Sequence, residues 1–215
     1  MQTLDFIVKK FNLNPQKRGH TEIPNFGRDQ LAGLFSELGF KVGVEVGTER
    51  GFYAETLCKA NPVMKLYCVD PWIAHSDYKE HVFTNVMDRN YEITKERMTP
   101  YNCELIRKMS RDALGDFEDE SLDFVYLDGN HAFESVVHDV YEWSKKVRKD
   151  GIISGHDYVR PKTFQGAQND YQHVVDALDA YTEAYKIRPW FVLGRNAKIP
   201  GETRDNARSW LFIKK

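Results

Sequence analysis

Four acids in this chain lie in or at the ends of short apolar runs. Glu45 sits in Val42-Gly43-Val44-Glu45-Val46-Gly47, and Asp70 ends Leu66-Tyr67-Cys68-Val69-Asp70. Asp128 ends Phe124-Val125-Tyr126-Leu127-Asp128, and Asp157 follows Ile152-Ile153-Ser154-Gly155-His156. Each acid suits a different task. Glu45 stands just ahead of a glycine turn, Gly47 to Gly51, where a carboxylate would repel phosphate and pair with an ammonium group. Asp70, at the end of the next apolar run, can accept hydrogen bonds from both hydroxyls of a ribose, and it can equally serve as a plain turn cap. Asp128 and Asp157 close two later runs. Two like carboxylates side by side raise each other's pKa unless a cation lies between them, and a hard divalent ion such as Mg²⁺ answers that need with oxygen ligands. His131 and His156 flank these acids as general-base candidates. His156 as a ligand would favour a softer ion such as Mn²⁺ or Zn²⁺. A loop histidine also has an ordinary capping or surface reading.

The elements that must carry these groups follow from periodicity. The β-branched run Val42–Val46 reads as a buried strand, and Phe52, Leu57 and Ala60 continue past the glycine turn into a helix that stops before Asn61-Pro62. Leu31, Leu34, Phe35 and Leu38 repeat at i, i+3, i+4 and i+7, predicting a helix that Gly39 ends. Further strands are predicted within Lys65–Asp70 and at Leu105–Ile106, Leu122–Gly129 and Ile152–Tyr158. A helix is predicted on Phe133, Val136, Val137, Val140 and Tyr141, with Lys145, Lys146, Arg148 and Lys149 at its C-terminal end. Residues 73–100 predict one or two helices, and His75, Asp77, Tyr78 and His81 there read as a solvated helix start or a lid. A polar loop is expected over 159–170. A last helix on Tyr171, Val174, Val175, Leu178 and Tyr185 precedes two strands, Trp190–Leu193 and Trp210–Ile213. Residues 1–26 are expected as an N-terminal arm or cap: a short helix on Leu4, Ile7, Val8 and Phe11, then loop. Residues 27–215 are expected as the main domain. The repeated β-α alternation implies a doubly wound, mostly parallel three-layer α/β sheet closed by an antiparallel strand pair, with ligands outside the strands' carboxyl ends.

The segment Glu45-Val46-Gly47 to Gly51 resembles the first motif of class I S-adenosylmethionine (SAM) dependent methyltransferases, and Asp70 matches the second. The dinucleotide fingerprint Gly-x-Gly-x-x-Gly has different spacing and no such acid, which argues against a nicotinamide oxidoreductase. Leu-Asp-Phe-Val-Tyr-Leu-Asp-Gly-Asn-His together with Gly-Ile-Ile-Ser-Gly-His-Asp-Tyr is similar to the catechol-type and macrolide-sugar O-methyltransferases, over roughly residues 40–160. The resemblance implies a cofactor set of Glu45, Gly47, Gly51, Asp70 and Asp128, with Ser110, Arg111 and Asp112 at the adenine edge. It implies metal ligands at Asp128 and Asp157, joined by His156. The sequence departs from the sugar-modifying relatives at Asn130, where they carry a second acid. An amide cannot take a proton, so His131 or His156 is expected as the base.

The chain has 215 residues, 41% of them hydrophobic and 29% charged, and a formal net charge of −2, as suits a globular α/β protein with no strong basic patch. A nucleic-acid or membrane partner is not expected. Three separated cysteines, Cys58, Cys68 and Cys103, read as reduced thiols of a cytoplasmic protein. The sequence therefore predicts SAM-dependent methyl transfer to a hydroxyl of a small molecule, a sugar or glycosylated product being one candidate. A divalent ion (Mg²⁺ or Mn²⁺) would assist, and a homo-oligomer is allowed. The alternatives are a metal-independent transferase with a histidine base and a SAM-binding protein without activity.

Overall fold

The computed structural model of the chain describes residues 2–16, 18–74, 84–160 and 172–215. Helix α1 (Thr3–Lys10) buries Ile7, and its first turn is tied down by Asp150: the Thr3 amide donates to that carboxylate (3.0 Å) and Thr3 Oγ1 donates to the Asp150 carbonyl (2.7 Å). An acid at a helix N-terminus satisfies orphan N–H groups and suits the dipole. Strand β1 (Thr21–Ile23) follows, then helix α2 (Arg28–Glu37). Gln30 reaches back to the Gly27 amide at 2.9 Å and Asp205 accepts from the Arg28 amide at 2.8 Å, so α2 also starts on polar acceptors.

The remaining elements alternate. Strand β2 (Val42–Val46) leads to α3 (Phe52–Ala60), β3 (Lys65–Val69) to α4 (Thr84–Met98), and β4 (Cys103–Ile106) to the short α5 (Ser110–Ala113). Strand β5 (Leu122–Leu127) leads to α6 (Phe133–Lys146), and β6 (Val147–Tyr158) to α7 (Val174–Ala184), before β7 (Trp190–Leu193) and β8 (Arg208–Ile213). One eight-stranded sheet results, in the order β1-β7-β8-β6-β5-β2-β3-β4. Neighbours are parallel except at β8, which runs antiparallel to both β6 and β7.

Both faces of this sheet are covered, and β5 shows why its sequence is a continuous apolar run. Phe124 and Tyr126 point into the core shared with Leu31, Phe35 and Leu57 of α2 and α3. Val125 and Leu127 point into the core shared with Val140 and Trp143 of α6 and Leu178 of α7. The doubly wound, three-layer sheet expected from the sequence is the fold observed.

Two local expectations change. Residues expected to be loop after Asn14-Pro15 contain β1, which pairs in parallel with β7, and Ile23 and Phe26 are core residues. Val147 to Asp150, expected at the helix end, belong to β6; Arg148 donates to Asp123 at 2.7 Å rather than serving the helix dipole. His75, Asp77, Tyr78 and His81, and the loop expected over 159–170 from residue 161 onward, lie outside the described residues. Cys58, Cys68 and Cys103 are free thiols. Among the described residues, no helix is long and apolar enough to cross a membrane.

Candidate active site

The carboxyl ends of β2, β3, β4 and β5 frame a cavity of about 600 Å³, the size range of cofactor sites. Its floor is the turn after β2. Gly47 has φ +92°, a conformation that suits only glycine, and a Cβ there would lie 2.1 Å from the Asp128 carbonyl oxygen. Gly51 (φ +73°) starts α3. Between them Glu49 is also left-handed (φ +48°). Its carbonyl is clamped by Trp72 Nε1 (2.6 Å) and Thr94 Oγ1 (2.7 Å), so α4 and the loop after β3 hold the turn in place.

Asp70 lines the cavity at the end of β3. Its Oδ2 accepts from the Glu49 amide (2.9 Å) and its Oδ1 from the Trp72 amide (2.7 Å). These two backbone bonds orient the carboxylate. Glu45 behaves differently. It is buried at 2% exposure and is not among the cavity residues; burial pushes its carboxyl up to about 8. Its Oε2 and the Thr48 Oγ1 have no hydrogen-bond partner among the described residues. Beyond β4, Met109, Ser110 and Arg111 line the cavity, whereas Asp112 is exposed on α5 and is not among them.

Asp128 and His131 also line the cavity. Asp157 joins them through a bulge in β6: the pairing with β8 shifts register between Gly155 and Tyr158, and Asp157 adopts φ +58°. Bulges and left-handed non-glycine residues often aim side chains at functional positions. Trp210 Nε1 donates to the His156 carbonyl at 3.0 Å and fixes the bulge. Ligand atoms of Asp128, His131 and Asp157 all lie within 4.8 Å of one another, a donor set of two carboxylates and an imidazole. His156, expected as the third ligand, points Nδ1 at both acids instead, 3.2 Å from Asp157 and 3.6 Å from Asp128.

The charges in this cluster are interlocked. Burial, and then the charge of Asp157, push Asp128 up to about 7 against the pull of His156. Burial opposes the charge on Asp157, yet the imidazoles of His131 (3.1 Å) and His156 (3.2 Å) beside it outweigh burial and hold that carboxyl far below the ordinary range. Burial alone would lower His156, but its bond to Asp157 and the two acid charges raise it. His131 Nδ1 meets the side-chain amide of Gln172 at 3.0 Å. Gln172 can donate to that nitrogen or, with its amide reversed, accept from it, so it serves either imidazole tautomer. Asn130 is absorbed locally: its Oδ1 accepts from the Ala132 amide at 2.8 Å.

Two charged members of the site, Arg28 and Asp139, were not foreseen. Arg28 brings a guanidinium from the start of α2 to 3.8 Å from Asp128 and lies over the ring of Tyr53. No basic residue is near Asp128 in sequence, so only the fold supplies this cation. Asp139 of α6 lines the cavity while hydrogen-bonded to Ser110 (2.7 Å). In sequence it reads as the polar face of an amphipathic helix; a single acid eleven positions after Asp128 carries no motif.

Comparison with known proteins agrees with this architecture. Residues 44–158 match the family described as a methyltransferase domain. An O-methyltransferase from Bacillus cereus, solved in complex with S-adenosylhomocysteine (SAH), superposes with a TM-score of 0.59 over 99% of this chain and 90% of its own, at 16% identity. The SAH-bound methyltransferase PaMTH1 of Podospora anserina gives a TM-score of 0.59 over 87% of this chain and 78% of its own, at 13% identity. The uncharacterized protein y4gI of Sinorhizobium fredii (strain NBRC 101917 / NGR234) is 29% identical over 121 residues. That match spans 53% of this chain and only 13% of the length of the curated relative. With more than half its length matched, and with the sheet order and motif positions described above, the chain belongs to the methyltransferase-domain family.

Proposed function

We propose that this chain transfers a methyl group from SAM to a hydroxyl of a small acceptor molecule, assisted by a divalent ion. The observation that carries the reading is that one cavity is lined by the Gly47 turn and Asp70 together with Asp128 and His131. The SAH-bound relatives from B. cereus and P. anserina share the fold and support the choice of cofactor.

The residues present fit that cofactor. Gly47 and its turn line the cavity, Asp70 offers a carboxylate to a ribose, and Ser110 and Arg111 line the cavity beyond β4. Glu45, behind the turn, is the acid proposed to answer the cofactor's ammonium group. SAM supplies an activated methyl on a sulfonium leaving group, so the protein's work is alignment and removal of the hydroxyl proton. Asp128, His131 and Asp157 would hold a divalent ion, which would supply a Lewis acid beside the acceptor hydroxyl. His156, tied to both acids, orients them and can collect the proton.

A second reading rests on the pair His131–Asp157 at 3.1 Å. An imidazole held by a carboxylate is a competent general base without any metal. The two readings separate in one assay. Sugars, phenols and glycosides are offered with SAM, and SAH release is followed with and without EDTA. Release abolished by EDTA and restored by Mg²⁺ or Mn²⁺ supports the metal-assisted reading. Full-rate release in EDTA supports the histidine base. No release from any acceptor, in a protein that binds SAM, contradicts both and favours a binding role.

A further inference from the structure

Two of the three free thiols meet near the outer edge of the sheet. Cys68 lies within β3, Cys103 is the first residue of β4, and their Sγ atoms are 3.2 Å apart. At that distance one thiol donates a hydrogen bond to the other. The register pairs Leu66 with Cys103 and Cys68 with Leu105, so the two cysteines are diagonal neighbours on one face of the sheet. Neither belongs to the cavity or to the cluster of Asp128, His131 and Asp157.

The two sulfurs differ in environment. Cys68 is fully buried, and burial pushes its thiol well above the ordinary range. Cys103 is partly exposed; its bond with Cys68 holds its thiol below the ordinary value against burial, and the Lys65 charge assists. Cys68 is therefore the donor, and Cys103 is the side that carries a thiolate, the form that attacks oxidants. Cys58, 2% exposed in the same core, has its thiol pushed up to about 12 by burial and is an internal control.

A partly exposed thiolate touching a second thiol is the arrangement of an oxidisable pair. We propose that Cys68 and Cys103 are a redox couple, oxidised by a hydroperoxide to a reversible disulfide that ties β4 to β3. The Cys103 thiolate attacks one peroxide oxygen, the O–O bond breaks, and the hydroxide or alkoxide released takes up a proton. Cys103 is then a sulfenic acid. The Cys68 sulfur attacks the Cys103 sulfur, the S–O bond breaks, and the departing hydroxide takes the Cys68 proton to form water. The two thiols give up two electrons and the peroxide gains them. To bond, the sulfurs must close by roughly 1 Å, to about 2.05 Å. Cys103 starts the outermost strand of the sheet, so only β3 holds it in register. Diagonal neighbours stand farther apart than directly opposed ones, so the bond is strained, and a strained disulfide is readily reduced. The couple does not depend on the methyl-transfer reading.

The test is a peptide map of the full chain, treated with hydrogen peroxide, then unfolded, alkylated and digested without reductant. The expected result is one free thiol in place of three, at Cys58, with the Cys68 and Cys103 peptides joined and lighter by two hydrogens. Reduced glutathione should restore all three thiols. Cys68→Ala should leave Cys103 as a sulfenic acid that dimedone traps, and Cys103→Ala should leave Cys68 reduced. Three free thiols after excess peroxide would overturn the proposal. So would a Cys103 sulfinic acid beside a free Cys68, a bridge to Cys58, or a bridge between two chains. A disulfide that resists glutathione would overturn the claim of reversibility. The wild-type map is decisive even if neither variant folds.

Discussion

Gly47 and Asp128 touch: a Cβ on Gly47 would lie 2.1 Å from the Asp128 carbonyl oxygen and 2.8 Å from the Gly129 amide. The contact packs the glycine turn after β2 against the acid that ends β5, so both share one stretch of the cavity wall. Gly47→Ala meets both this clash and a left-handed φ of +92°. It is expected to cost on the order of 3 kcal/mol in thermal or urea unfolding. SAH affinity should fall further than the loss of folded protein explains, because relief of the clash pushes the floor apart.

Glu45 is expected to limit stability at alkaline pH. Its folded-state carboxyl is raised from 4.5 to about 8 by burial. The folded protein therefore holds a proton that the unfolded chain has released, and stability from this group is lost as pH rises through about 8. Glu45→Gln removes the titration, so the variant should be more stable than the wild type at about pH 9, by on the order of 2 kcal/mol, and equal to it at about pH 5. The same variant should bind SAH more weakly, since the carboxylate is the proposed partner of the ammonium group. Parallel unfolding curves at both pH values would contradict this.

Four acids were readable because each lies in or at the end of a β-branched or aromatic run, where strand and strand end are both visible. That signal placed Glu45, Asp70, Asp128 and Asp157 at the strand ends, but it could not distinguish a buried acid from one lining the cavity. Glu45 proves to lie behind the turn. Strand β1 escaped because three residues next to Ile23-Pro24 carry too little pattern, and its pairing with β7 is a long-range event. Val147 to Asp150 misled because basic residues after a helix suit the dipole as well as they suit a strand edge. Arg28 and Asp139 were invisible for a common reason: each reaches the site from a helix whose pattern is explained by packing alone.

Asp157→Asn tests the charge of the rim without disturbing its backbone, because asparagine tolerates the left-handed conformation seen at φ +58°. Turnover is expected to drop by about 100-fold or more, together with loss of thermal stabilisation by Mg²⁺ or Mn²⁺. SAH affinity should stay within about threefold, since Asp157 lies outside the cofactor end. A variant still stabilised by metal to the wild-type extent would exclude Asp157 as a ligand.

His131→Ala and His156→Ala should differ. His131 lies in the cavity with Asp128, and His156 stands behind the acids. Removing His131 is expected to lower kcat by about 100-fold with KM for SAM little changed. His156→Ala should remove both the group that orients the acids and the proton acceptor of the metal-assisted reading, and show a smaller loss, about tenfold, because the bound ion would already weaken the hydroxyl proton. Equal, small effects from both would place the base elsewhere.

The most direct test of the account is a calorimetric titration of the wild type and Asp70→Ala with SAH, with NAD as the control ligand. The wild type should bind SAH in the micromolar range, about −7 to −8 kcal/mol, and NAD negligibly. Asp70→Ala should lose roughly 1.5–3 kcal/mol of that affinity, because ribose hydroxyls are left without their acceptor. Absence of SAH binding, with tight binding of NAD in its place, would contradict the account at its centre.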